Sequence, residues 1–109
     1  MEEVAVLEGI FEEYGKRKCE ILNKHRDNLQ GADGELVELE NWLSGELSTL
    51  GFEERELDSY DDFLSERKIE EHEVKDRRSG KAYYVTLYIN ASSKPSEAEY
   101  ELGSVCVSP

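Results

Sequence analysis

The 109-residue chain has the length of one domain and carries 26 acidic against 13 basic residues, a formal net charge of −13. Such a charge repels nucleic acid and anionic membranes, and no segment approaches the roughly 20 apolar residues that a membrane span needs. Because Glu2 and Glu3 stand where a signal peptide would carry bases, we expect a cytoplasmic protein with no membrane contact.

Apolar residues at helical spacing begin the chain. The stripe comprises Val4, Leu7, Phe11 and Tyr14, and continues less purely through Lys18, Ile21, Leu22 and His25. We expect a helix from Glu2 to Leu29 that stops at Gly31. Gly15 is an interior weak point. A helix of 28 residues exceeds a compact domain of this size, so it must kink at Gly15 or project and pack on another subunit.

A second helix is predicted after Asp33, which is a good N-cap, and Gly51 closes it. Its apolar stripe consists of Leu36, Leu39, Leu43, Leu47 and Leu50. This helix lies in an acidic block between residues 31 and 66, which contains twelve Asp and Glu residues and one basic residue, Arg55. The block therefore carries −11 of the net −13.

The acidic stretch from Phe52 to Leu57 is interpreted as a loop. Ser59 followed by Asp62 resembles a capping box with a shorter acid, which predicts a short helix over about Tyr60–Arg67. The apolar residues that this helix would bury are Phe63 and Leu64.

The remainder of the chain is predicted to be β. Ile69–Asp76 is polar and fits an edge strand, and a tight turn at Arg78–Lys81 follows it. Tyr83–Ile89 alternates clearly and is the best strand, and a third strand is expected over about Glu99–Val107.

The predicted fold class is α+β, with two longer helices and one short helix packed on one face of a three-stranded antiparallel meander. We expect a single domain over residues 1–109, with a helical part over 1–68 and a β-meander over 69–108. One layer of helices covers one side of such a sheet, and the strand from Tyr83 to Ile89 carries tyrosines on its second side. Tyrosine is favoured at interfaces. We therefore expect a homodimer, joined by this face or by the long first helix, and the residues assigned to the contact are Tyr84, Thr86, Tyr88 and Tyr100.

The acidic block is the main candidate for a functional surface. Carboxylates along a helix and its following loop can imitate a row of phosphates and attract a basic protein. The alternative is a solvated acidic face that serves solubility. The residues assigned to partner binding are Glu35, Glu38, Glu46, Glu53, Glu54, Asp58, Asp61 and Asp62. We expect a non-enzymatic interaction module for a basic, nucleic-acid-binding protein, acting as a nucleic-acid mimic or inhibitor.

No motif in the sequence indicates catalysis, a cofactor or a metal. Neither His25 nor His72 has a second His or Cys at zinc-finger spacing, and no EF-hand pattern occurs. Glu70 and His72 would share one face of a strand, which by itself is weak evidence for acid–base chemistry. Cys19 and Cys106 are expected to be reduced thiols.

Two alternative functions remain open from the sequence. The order helix, helix, short helix, hairpin resembles a degenerate winged helix, which would contact nucleic acid through the basic hairpin tip of Arg77, Arg78 and Lys81. The acidic residues in the segment that would enter the major groove argue against direct nucleic-acid binding. The second alternative is a small orphan or metal-dependent enzyme.

Overall fold

The computed structural model describes residues 2–62, 64–91 and 99–109. Two helices precede four strands: α1 (Glu2–Lys24), α2 (Asp33–Thr49), β1 (Phe52–Asp62), β2 (Arg67–Asp76), β3 (Ala82–Ala91) and β4 (Tyr100–Ser108). The strands form one antiparallel sheet in the order β1-β2-β3-β4. The α+β class is confirmed, whereas the sheet has four strands rather than three. Neither helix combines the length and apolar composition needed to cross a membrane.

Helix α1 buries the predicted stripe. Leu7, Phe11 and Tyr14 are at most 2% exposed and join one core with residues of α2 and the sheet. The helix ends at Lys24, earlier than expected, and a 3₁₀ turn at Leu29–Ala32 leads into α2. Its 23 residues run roughly 35 Å, which the 47 Å long axis of the molecule accommodates.

Helix α1 continues through Gly15, so the chain does not leave the helix at this glycine. A Cβ at this position would approach Leu102 Cδ1 of β4 to 2.7 Å and Leu87 Cδ2 of β3 to 3.2 Å. The glycine therefore lets α1 lie close against the sheet, and this contact offsets the cost of glycine in a helix.

Helix α2 packs through Leu39, Leu43 and Leu47 of the predicted stripe. Leu50, also assigned to that stripe, lies just after the helix and is exposed. Asp33 is its first helical residue rather than its N-cap, since Ala32 occupies the cap without a side-chain hydrogen bond. Gly51 ends the helix as predicted. Its φ of 89° is a left-handed conformation that L-residues rarely adopt.

The predicted loop over Phe52–Leu57 and the short helix over Tyr60–Arg67 are wrong. Phe52–Asp62 instead form the edge strand β1, which pairs along its length with β2. Acidic side chains have low strand propensity, but this strand is exposed apart from Phe52, Glu54 and Asp62, and it supplies the backbone partner that β2 requires. Phe63 lies outside the described residues, and Leu64 is fully exposed rather than buried.

Strand β2 is an inner strand, not the predicted edge, because β1 and β3 pair on its two sides. A bulge in β1 between Glu56 and Asp58 shifts the register with β2. Before the bulge Glu56 lies opposite His72, and after it Ser59 lies opposite Glu70.

The two faces of the sheet differ in what covers them. On one face Val74, Tyr83, Val85 and Leu87 are buried against the two helices. The second face carries no helix among the described residues, and we call it the open face. The side chains that define it are Tyr60, Tyr84, Thr86, Tyr88 and Cys106.

Candidate functional site

Two buried polar residues of β2 face the helices. Glu70 and His72 are two positions apart on the strand, so they share the covered face. Each is 3% exposed, and His72 Nε2 lies 3.0 Å from Glu70 Oε1. The expectation that they share a face is confirmed, and the face is the interior.

Strand β1 brings two further carboxylates to this pair. Glu54 Oε2 lies 2.7 Å from His72 Nδ1, so both ring nitrogens of His72 have a carboxylate partner. Glu56 lies opposite His72 in the register, and ligand atoms of Glu56, Glu70 and His72 all fall within 4.8 Å of one another. We call Glu54, Glu56, Glu70 and His72 the carboxylate–histidine cluster.

Side chains of helix α1 contact the cluster and hold Glu70 in place. Tyr14 Oη donates to Glu70 Oε1 at 3.0 Å, and the ammonium group of Lys18 binds Glu70 Oε2. The rings of Phe11 and Tyr14 lie 5.2 Å and 5.8 Å from the imidazole of His72, measured between centroids. Lys18 interrupts the apolar stripe of α1, and its ion pair with Glu70 explains why a charged residue stands there.

Charges within the cluster set its protonation. Burial opposes a charged His72, but hydrogen bonds to Glu54 and Glu70 raise the pKa of His72 to about 9. Burial also opposes a charged Glu70, but hydrogen bonds and charge from His72 and Lys18 lower the pKa of Glu70 to about 2. At neutral pH the pair is therefore an imidazolium and a carboxylate. Burial and the charge of Glu70 raise the pKa of Tyr14, so its hydroxyl remains a donor.

A cleft of about 280 Å³ between α2 and β1 gives access to the cluster. Its walls include Glu40, Asn41 and Ser44 of α2. Glu56 is exposed in this cleft. Partial burial and the neighbouring charge of Glu70 raise the pKa of Glu56. The arrangement can hold a proton or a cation between carboxylates that solvent reaches from one side.

A second concave surface lies between the two helices. This helix groove has a volume of about 460 Å³. Its lining residues are Arg17, Glu20 and Ile21 of α1 with Glu35, Glu38, Leu39 and Trp42 of α2. The guanidinium carbon of Arg17 lies 4.3 Å from the ring centroid of Trp42. The groove combines an aromatic and aliphatic floor with three carboxylates.

The eight predicted partner-binding carboxylates do not form one surface. Glu35 and Glu38 line the helix groove, and Glu46 is exposed elsewhere on α2. The five others are on β1, where the bulge and the alternation of the strand divide them between both faces.

Intramolecular partners occupy several of these carboxylates. Bases neutralise four of them: Glu35 binds Lys24 and His25, Glu53 lies 3.5 Å from Arg77, Glu54 binds His72, and Asp61 lies 3.0 Å from Lys68. Asp58 and Asp62 instead accept hydrogen bonds from the backbone amides of Ser59 and Ser65. The row of phosphate-like charges expected from the sequence is therefore interrupted.

The predicted dimer contact is brought together in part. Tyr84, Thr86 and Tyr88 lie side by side on the open face, and Tyr84 is 46% exposed. Tyr100 lies on the opposite, helix-covered face, because it pairs with Ala91 beyond a bulge in β4. Its backbone is held there by the side-chain amide of Asn23, with N–O distances of 2.6 Å and 2.9 Å.

The segment that would form the third helix in the winged-helix alternative begins in a strand, since Ser59–Asp62 belong to β1. Arg77 at the hairpin donates to Ser48 Oγ and to the carbonyl of Phe52, so it is held against the protein. Arg78 is exposed at the tip, next to Asp76.

Sequence reasoning missed the carboxylate–histidine cluster as a unit. The signal was the i, i+2 spacing of Glu54 with Glu56 and of Glu70 with His72, which is meaningful only once both segments are strands. The contact of Trp42 with Arg17 depends on the pairing of the two helices, which the sequence alone does not give.

No protein-family model, no curated protein and no solved structure matches this chain.

Proposed function

We propose that this protein is a non-enzymatic acidic interaction module whose helix groove binds a basic segment of a partner protein. The single observation that supports this proposal is the composition of the groove. Trp42, Leu39 and Ile21 provide apolar contact area, and Glu20 and Glu38 lie beside it together with Glu35, which also binds Lys24 and His25. Buried aromatic anchors within a polar rim are typical of the residues that dominate binding energy at interfaces.

Arg17 indicates which side chain the groove accepts. Its guanidinium group already occupies the face of Trp42 and forms an exposed ion pair with Glu13 at 2.7 Å. Such an ion pair contributes little to stability. An arginine from a partner can take the same position over Trp42, where the neighbouring carboxylates add charge complementarity. The expected partner segment is therefore basic, apolar on one side and rich in arginine.

The net charge of −13 supports long-range attraction of such a partner. A nucleic-acid-binding protein is the most direct source of an arginine-rich surface, and a protein that occupies this surface acts as an inhibitor or nucleic-acid mimic. We confine the contact to the helix groove, because intramolecular partners engage much of the β1 acidic row. The second part of the proposal is a homodimer through the open face.

Trp42 is the single tryptophan, so its fluorescence reports on the groove. The probe is a synthetic amphipathic peptide of arginine and leucine, and the matched control peptide has glutamate in place of arginine. We expect saturable changes in Trp42 emission with the basic peptide alone, and an affinity that falls as salt is raised. Double-stranded DNA should produce no change.

Variants separate groove binding from general charge attraction. Glu38→Lys should weaken binding of the basic peptide at least about tenfold, since it places a cation in the groove. Glu53→Lys makes the same charge change on β1, away from the groove, and should weaken peptide binding much less. Equal losses in the two variants, or an unchanged Trp42 signal on peptide binding, would contradict the proposal.

A further inference from the structure

We propose that Glu56, Glu70 and His72 form a binding site for a divalent transition-metal ion, with zinc as the reference ion. This site lies in the cleft between α2 and β1, separate from the helix groove, and it does not depend on the interaction function. The ligand set consists of one imidazole nitrogen and two carboxylates contributed by adjacent strands.

The spacing of the ligand atoms suits an inserted ion. His72 Nε2 and Glu70 Oε1 are 3.0 Å apart. Two tetrahedral ligands at zinc distances of about 2.0–2.1 Å are separated by roughly 3.3 Å. An ion therefore fits between them after a shift of a few tenths of an ångström, and Glu56 approaches as the third ligand from the cleft.

The residues behind the ligands are already arranged as in metal centres. Glu54 Oε2 lies 2.7 Å from His72 Nδ1 and orients the ring so that Nε2 faces Glu70 and Glu56. A carboxylate on the second nitrogen of a ligating histidine is the usual supporting contact at zinc. Tyr14 and Lys18 hold the two oxygens of Glu70 from α1, so this ligand is positioned before an ion arrives.

The charges near the cleft favour a divalent ion. Glu54, Glu56 and Glu70 bring three carboxylates to His72, and Lys18 of α1 pairs with one of them, so the site keeps an excess of carboxylates that a divalent ion can balance. Glu40, which also lines the cleft, adds further negative potential.

The ligand types select the class of ion. Calcium and magnesium prefer sites made of oxygen alone, whereas imidazole suits zinc, cobalt and related ions. Three protein ligands leave a fourth position toward the cleft, where Asn41 and Ser44 lie in its wall. Water can occupy this position.

Exposed side chains that bind metal adventitiously must be removed before the test. The partly exposed imidazole of His25 beside Glu35, and the exposed thiol of Cys106, offer ligand atoms of this kind. The experiment therefore uses full-length protein carrying His25→Gln and Cys106→Ser, treated with chelator. Zinc is titrated by calorimetry, and cobalt by absorption, because thiolate ligands give an intense charge-transfer band that nitrogen and oxygen ligands lack.

The expected result is one equivalent of zinc and a cobalt spectrum without thiolate bands. Glu56→Gln should weaken binding at least about tenfold. The carboxylate of Glu56 is exposed and has no hydrogen-bond partner among the described residues, so this variant should fold. Glu53→Gln is the matched control on the same strand and should bind as tightly as the parent.

Two further variants test the surrounding contacts. Glu54→Gln should weaken binding about tenfold through the orientation of His72. Lys18→Met should strengthen binding several-fold, because it removes a cation that competes for Glu70, while Tyr14 still holds this ligand in position. Equal affinities of the parent and Glu56→Gln, or absence of binding to the parent at millimolar zinc, would overturn the proposal.

Discussion

His72 Nε2 lies 3.0 Å from Glu70 Oε1 in the interior, and both residues are 3% exposed. A buried ion pair of this kind gains little over an apolar pair, but the loss of one partner leaves a buried charge without compensation. The free energy of unfolding therefore depends on pH through the titration of both residues.

The metal-free protein should be most stable between about pH 4.5 and 6.5. The pKa of His72 rises from 6.5 to about 9 on folding, so its contribution is complete below pH 6.5 and is lost as pH rises toward 9. The pKa of Glu70 falls from 4.5 to about 2, so its contribution is complete above pH 4.5 and is lost as pH falls toward 2. Each loss is on the order of 3 kcal/mol.

Urea unfolding with chelator present, at intervals between pH 3 and pH 9, measures this dependence. The groups that face His72 are Glu54, Glu56 and Glu70 from the sheet and Tyr14 from α1. His72→Gln should flatten the alkaline side. A wild-type stability that is level between pH 6.5 and 9 would contradict the assignment.

Gly15→Ala should destabilise the protein by about 1 kcal/mol, although alanine favours helices. The new methyl group would meet Leu102 and Leu87, and Leu87 is fully buried. Gly9→Ala is the matched control in the same helix, where nothing lies within 4 Å, and it should stabilise by up to about 1 kcal/mol.

A double-mutant cycle identifies the cause at Gly15. Combining Gly15→Ala with Leu102→Ala should recover part of the lost free energy of unfolding, since the smaller side chain makes room. Strict additivity of the two changes would assign the loss to something other than this contact.

The two thiols should differ in reactivity. Cys106 is exposed on the open face, whereas Cys19 is buried and its pKa is raised to about 11, chiefly by burial. A disulfide reagent should modify Cys106 first and Cys19 at least roughly 100-fold more slowly. Cys106→Ser should abolish the fast phase, and Cys19→Ser should retain it.

The proposed homodimer can be tested on the open face. Light scattering during gel filtration should give the mass of two chains for the parent at high protein concentration. Tyr84→Lys should shift this mass toward one chain, because it places a charge where the two faces meet. Leu64→Lys, at a fully exposed position in a turn, should leave it unchanged. A parent protein that stays monomeric rules out this contact.

Periodic apolar segments were predictable from the sequence. The stripe from Leu7 to Tyr14, the three leucines Leu39, Leu43 and Leu47 and the alternation around Val85 lie in the core as expected. Each has one face dominated by burial, so the spacing of apolar residues determines the structure. The one-sided packing of the sheet also followed from having a single layer of helices.

Strand β1 could not be predicted from its own residues. Carboxylates on six of its eleven positions disfavour a strand, and Ser59 with Asp62 imitates a helix cap. Its structure is set by pairing with β2, a contact between segments that local patterns do not report. The carboxylate–histidine cluster was missed for the same reason, since Glu54 and Glu56 meet His72 only through that pairing.

The irregularity of β1 at Leu57 keeps a second carboxylate away from the buried Glu70. In an uninterrupted ladder that still contained Leu57, Asp58 would take the place opposite Glu70 and the two carboxylates would be neighbours. The extra residue turns Asp58 toward solvent and presents the neutral hydroxyl of Ser59 instead. Deleting Leu57 would remove the extra residue and leave Ser59 opposite Glu70, so the shortened chain should keep the pairing of β1 with β2.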